Sequence, residues 1–135
     1  MSIERENNFC KYSLNDNNVL LVEIKKEQPS DEEWINTINL MKSFYELAEI
    51  KNFIFSIIFD LTKMGILEYC KIKEWSNLFI DYKDKTKKYI KCTTIITNSL
   101  FIKNILNVFF GVYTTVKPMK MVNNIKDAYI FINEN

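Results

Sequence analysis

Side chains that could carry chemistry follow directly after a long apolar run. The run covers residues 53–59, and Asp60, Thr62, Lys63 and Gly65 come next. A carboxylate at the end of a buried strand could act as a general acid or base if a second acid or a histidine accompanied it. A hydroxyl beside a lysine could carry a regulatory phosphate. These four residues form the candidate loop site of the chain.

The sequence around Asp60 and Thr62 favours structural roles for both. Asp60 has no evident second acid or metal ligand as a partner, and the chain contains no histidine, so a turn or cap role is favoured over catalysis. Thr62 is the only hydroxyl of the segment and is predicted to cap the next helix. The alternative is a phosphate on Thr62, held by free N–H groups at that helix start and by Lys63.

Composition excludes several classes of site. The absence of histidine removes the commonest general base and metal ligand. Gly65 and Gly111 are the only glycines, too few for a phosphate loop or a dinucleotide fingerprint. Cys10, Cys70 and Cys92 are odd in number and widely spaced, so they are predicted to be buried thiols without disulfides or metal. The sequence therefore predicts no cofactor, no metal and no enzymatic activity.

Charge and hydropathy bear on partners and location. The net charge is +1, and the lysines of residues 83–91 are interleaved with Asp81 and Asp84 at a solvated helix end, so no nucleic-acid partner is predicted. No segment reaches the roughly 18 apolar residues that span a bilayer, and the first residues lack the pattern of a secretory signal. We expect a soluble, cytoplasmic protein.

The hydrophobic periods predict one domain over residues 1–135 with the order β-β-α-β-α-β-α-β-α. Ser30 and Glu33 have the spacing of a capping box at the start of the first helix. The predicted strands are 9–14, 19–24, 53–59, 89–97 and 118–122, and the helices are 31–49, 66–82, 100–110 (ended by Gly111) and 124–133. The predicted inner faces are Trp34, Ile38, Met41, Tyr45 and Ala48 on the first helix, and Cys70, Trp75, Leu78, Phe79 and Tyr82 on the second.

This order resembles the STAS superfamily, and its SpoIIAA-like branch most closely. The resemblance rests on the strand that ends in Asp60-Leu61-Thr62, and on a short strand near Pro118 followed by a helix that contains residues 127–132. It implies an α/β domain with a mixed, mostly parallel sheet of about five strands and helices on its faces. It also implies a non-catalytic module that binds a protein through the loop after the central strand. The phosphorylated Ser or Thr of that branch has no counterpart, because Lys63 stands two residues before Gly65.

The third predicted helix is apolar over more of its circumference than one sheet face can cover. Three interpretations are open: internal packing, a partner or homodimer interface, and a lipid-facing pocket or membrane-surface helix. The interface would be centred on Phe101, Ile105, Phe109 and Phe110.

The sequence as a whole predicts a non-catalytic module for protein–protein interaction, with a regulatory or scaffolding role. The alternative is a module that binds a small molecule or lipid in the crevice at the carboxyl ends of the central strands. Such a crevice would be lined by Asp60, Thr62 and Asn98.

Overall fold

A computed structural model describes the backbone of residues 2–112 and 116–135, and the side chains of residues 2–107 and 116–135. Within these residues the chain forms a six-stranded mixed sheet with the order β1-β2-β3-β4-β5-β6. Strands β3 to β6 are mutually parallel, whereas β2 runs antiparallel to β1 and β3. The strands are β1 Ile3–Glu6, β2 Cys10–Leu14, β3 Val19–Ile24, β4 Phe55–Asp60, β5 Ile90–Ile96 and β6 Met119–Val122.

Strand β1 is the addition to the predicted sheet of about five strands. Its sequence, Ile-Glu-Arg-Glu, carries one apolar residue, which is too little for an alternating pattern. Tertiary contacts hold it instead. Arg5 donates a hydrogen bond from Nη1 to Ser43 Oγ at 2.7 Å. Its guanidinium carbon, Cζ, lies 5.0 Å from the centre of the Phe44 ring.

The predicted central strand is confirmed as β4. It lies between two parallel neighbours, β3 and β5. Ile57 and Ile58 point to opposite faces and are both fully buried. The apolar run therefore reflects helices on both faces of this strand.

The described residues form five helices, one more than predicted. They are α1 Asp31–Lys51, α2 Tyr69–Asp81, α3 Lys83–Tyr89, α4 Leu100–Val112 and α5 Ile125–Glu134. The predicted helix 66–82 begins three residues later, and its polar tail is a separate helix, α3, that follows Tyr82. Gly111 does not end the third predicted helix, because α4 continues through it.

The first predicted helix is confirmed together with its capping box. Ser30 Oγ accepts the Glu33 N–H at 3.1 Å, and Glu33 Oε1 accepts the Ser30 N–H at 2.8 Å. The predicted inner face is correct for Trp34, Met41, Tyr45 and Ala48, while Ile38 is only half-buried. Two further residues, Thr37 and Phe44, complete the buried face.

The sheet separates two apolar cores of different size. The larger core lies under α1 to α4 and contains both tryptophans, while the smaller core lies under α5 around Ile58, Cys92 and Ile132. On α2, Leu78 and Phe79 are buried as predicted and Trp75 is half-buried, as is Tyr82 directly after the helix. Cys70 is exposed, contrary to the prediction, because α2 turns that face to solvent.

Candidate functional site

The loop that follows β4 opens with a tight turn. Asp60 Oδ1 accepts the Thr62 N–H at 3.1 Å and the Thr62 hydroxyl at 2.6 Å, which is the pattern of an Asx turn. Asp60 thus has the turn role that its sequence favoured. The predicted cap role of Thr62 is wrong, because α2 starts after Glu68. The alternative of a phosphate at the helix start loses its basis as well, since Thr62 and the exposed Lys63 precede that start by several residues.

The middle of this β4–α2 loop, residues 61–68, is held by the connection between β3 and α1. Gly65 donates its N–H to the Glu27 carbonyl at 2.9 Å, and the Gln28 side-chain amide donates to the Ile66 carbonyl. A Cβ on Gly65 would lie 3.1 Å from Glu27 Cβ and 3.2 Å from the Glu27 carbonyl oxygen. A larger residue at position 65 would therefore force the Glu27 segment to move by a few tenths of an ångström. These contacts also explain why helix α2 does not begin at Ile66.

The end of the loop is held by an ionic contact between two helix starts. The Lys71 amino group lies 2.9 Å from Asp31 Oδ1 at the start of α1 and 3.3 Å from Glu68 Oε1. The hydrogen bond to Asp31, assisted by that to Glu68, raises the pKa of Lys71 above its ordinary value. The loop is thus fixed at its start, middle and end.

Beneath this loop lies an apolar pocket with a volume of about 130 Å³. Its floor is the carboxyl-terminal half of three parallel strands, represented by Val22, Phe59 and Ile95. Helices α1, α2 and α4 and the β4–α2 loop form the walls. The described lining residues are Val22, Ile24, Trp34, Thr37, Phe59, Leu61, Met64, Gly65, Leu67, Ile72, Trp75, Ser76, Phe79, Ile95, Phe101, Ile102, Ile105, Leu106 and Met119.

None of these described lining residues has an ionisable side chain. The two hydroxyls among them are already used within their own helices. Thr37 Oγ1 donates to the Glu33 carbonyl at 2.7 Å, and Ser76 Oγ donates to the Ile72 carbonyl at 3.0 Å. The pocket offers shape and apolar surface, with aromatic rings on several sides.

The candidate loop site is divided by the pocket. Of its four residues, Gly65 lines the pocket, whereas Asp60, Thr62 and Lys63 are not among the described lining residues. The loop residues Leu61 and Met64, which were not predicted as site residues, line the pocket as well. Asn98, the third predicted polar residue of the crevice, is exposed and also outside the lining. The crevice at the carboxyl ends of the strands is therefore present, but the prediction of a polar lining is wrong.

The predicted interface on α4 contributes to the same pocket. Phe101 is 37% exposed and Ile105 is half-buried, and both line the pocket. The side chains of Phe109 and Phe110 lie outside the described residues. The sequence assigned the other important lining residues, Trp34 and Trp75, to the core, since periodicity shows which face is inward but not whether the space there is filled.

The described residues give no sign of a metal site or a membrane span. They contain no group of three or more acidic or cysteine side chains that could hold an ion. No helix among them is both long enough and apolar enough to cross a bilayer.

A solved structure with the same architecture supports the fold. The chain is similar to an uncharacterized protein of the DUF3478 family from Shewanella loihica PV-4, whose structure has a SpoIIAA-like fold. The two superpose with a TM-score of 0.60 at 17% identity, over 97% of this chain and 91% of that one. The chain matches no protein-family model and no curated protein. The protein accordingly has a SpoIIAA-like α/β fold, as the order of its elements predicted.

Proposed function

We propose that this protein is a non-catalytic binding module whose ligand is a small apolar molecule held in the pocket under the β4–α2 loop. The observation that carries the proposal is an aromatic-walled recess at the carboxyl ends of three parallel strands, which is where open α/β sheets bind ligands. An apolar cavity of about 150 Å³ holds a benzene molecule. The size of this pocket thus suits a ligand body of about one ring.

The chemistry of the walls supports binding without catalysis. General acid–base and nucleophilic mechanisms need a titratable or activated group within reach of the substrate. The described walls carry no ionisable group, and both hydroxyls are bonded to backbone carbonyls. Asp60 has its Oδ1 occupied by the turn to Thr62.

A partner protein is the second candidate, favoured by apolar side chains beside the pocket. Leu100 is 72% exposed, and Ile66 and Tyr69 are more than half exposed. They are close in sequence to lining residues on α4 and on the loop, and clustered exposed apolar groups mark interaction surfaces. The partner would be a second copy of this chain or another protein with a regulatory role.

An NMR titration with toluene tests the first candidate. We expect the amide signals of the loop and of α4 to shift with toluene, while those of α5 stay in place. Ile105→Trp fills the pocket and should abolish the shifts. Asn104→Trp places the same bulk on the exposed neighbouring position and should preserve them. Shifts that survive Ile105→Trp, or that map to α5, would contradict the proposal.

Light scattering decides on the second candidate. A homodimer would have twice the 16.1 kDa mass of the chain, and Leu100→Glu should return it to a monomer without unfolding it. A monomeric mass for the unmodified protein would argue against the homodimer.

A further inference from the structure

One residue of the pocket lining carries a buried hydrogen-bond donor that no described residue accepts from. Trp34 is only 5% exposed and lines the pocket, and its indole Nε1 has no partner within the described part of the chain. The hydroxyls of Thr37 and Ser76 are bonded as above, and Trp75, the other indole of the lining, is only half-buried. Among the described lining side chains, Trp34 Nε1 is therefore the one fully buried donor without a partner.

An unused donor at this position calls for an explanation. Buried N–H groups are nearly always paired, because an unpaired donor retains the cost of its desolvation. Aromatic packing holds the indole in place: its ring centre lies 6.1 Å from that of Phe9 and 5.8 Å from that of Trp75. The ring cannot turn to another acceptor without losing these contacts.

The uncharged walls of the pocket favour a ligand whose hydrogen-bond acceptor is neutral. No ionisable side chain lines the described walls, so a carboxylate or phosphate would be buried without a counter-charge. A neutral oxygen acceptor, such as a ketone or aldehyde carbonyl, avoids this cost and still satisfies the indole.

We propose that the ligand is an uncharged molecule with an apolar body of about one ring and a single carbonyl-type acceptor, to which Trp34 Nε1 donates. This inference rests on the proposed function and specifies its ligand class. Trp34 acts as the specificity-determining residue, since apolar contacts alone would accept any body of suitable size.

Three probes of nearly equal shape test the inference. Acetophenone carries the neutral carbonyl, α-methylstyrene replaces that oxygen with a methylene group, and benzoate carries a charged acceptor. We expect acetophenone to bind about tenfold more tightly than α-methylstyrene, as one satisfied buried donor implies. Benzoate should bind more weakly than both.

Two variants locate the effect. Trp34→Phe keeps an aromatic ring but removes the donor, and should make acetophenone and α-methylstyrene bind equally. Asn104→Trp, at an exposed position outside the described lining, should leave the tenfold preference unchanged. In the unmodified protein, the Trp34 indole N–H signal should move downfield with acetophenone and not with α-methylstyrene, which gives a readout that does not depend on the variants folding.

The results distinguish failure of the proposed ligand class from failure of the proposed binding site. Equal binding of acetophenone and α-methylstyrene, with no shift of the Trp34 signal, would overturn the inference and leave the apolar pocket intact as a site. Absence of binding by both would overturn the inference and the proposed function together. Tightest binding by benzoate would overturn the assignment of an uncharged ligand.

Discussion

Asp60 organises the start of the β4–α2 loop through a single carboxylate oxygen. That oxygen accepts both the backbone N–H and the hydroxyl of Thr62, and the Leu61 N–H is held by the Ile96 carbonyl at 2.9 Å. The turn fixes the direction in which Leu61 and the residues after it approach the pocket. Asp60 therefore shapes the pocket without lining it.

Asp60→Ala should lower the free energy of unfolding by about 1–2 kcal/mol, because two hydrogen bonds of the turn are lost. Thr62→Val removes only the exposed hydroxyl and should cost about 0.5 kcal/mol. Urea unfolding measures both, with the exposed Lys63→Ala as a control that should change stability by less than about 0.5 kcal/mol. A larger loss for Thr62→Val than for Asp60→Ala would contradict this account.

At the scale of elements, the start of α1 carries the clearest pH-dependent contact. Glu33 accepts the Ser30 N–H and lies 2.9 Å from the Lys26 amino group. The backbone hydrogen bond from Ser30, followed by the hydrogen bond from Lys26, lowers the pKa of Glu33. The folded state therefore favours the charged carboxylate more than the unfolded state does.

This difference predicts a loss of stability in acid. The carboxylate of Glu33 contributes to the free energy of unfolding in full above the pKa of an unfolded glutamate, about 4.3. This contribution is lost as the pH falls through the lower pKa that Glu33 has in the folded state. Glu33→Gln should be less stable than the unmodified protein at pH 7. The difference in the free energy of unfolding between the two proteins should vanish as the pH falls below the folded pKa of Glu33.

Urea midpoints at a series of pH values check this, and Glu32→Gln in the same turn controls for the loss of one negative charge at the helix start. A difference that stays constant down to acid pH would show that the charge of Glu33 is not involved.

At the scale of the whole molecule, the sheet is covered unequally. Helices α1 to α4 and the pocket share one face, and of the described helices α5 alone covers strands on the other. Strand β4 contributes to both cores, with Ile57 on the larger side and Ile58 on the smaller. The stability of the domain should accordingly depend strongly on this strand.

Ile57→Ala should cost about 2–5 kcal/mol, since a fully buried side chain is removed from a packed core. The control Ile54→Ala lies just before the strand at an exposed position and should change stability by about 0.5 kcal/mol or less. Thermal or urea unfolding of the pair measures the contrast. Similar small losses for both variants would contradict the central position of β4.

The sequence by itself determined the elements whose causes are local. The capping box at Ser30 and Glu33, the strands β2 and β3, and the burial of β4 all follow from neighbouring residues and from apolar periods. Element order was enough to indicate the SpoIIAA-like fold, because short connections and parallel pairing leave few arrangements of such elements.

Tertiary structure alone decided the start of α2, the role of Thr62 and the pocket. Residues 27 and 28 bond to Gly65 and Ile66, and this contact between distant parts of the chain keeps the loop from joining the helix. Periodicity correctly turned Trp34 and Trp75 inward. It could not show that the space between them stays open or that one buried indole donor lacks an acceptor, because both depend on how three helices and a loop meet over the sheet.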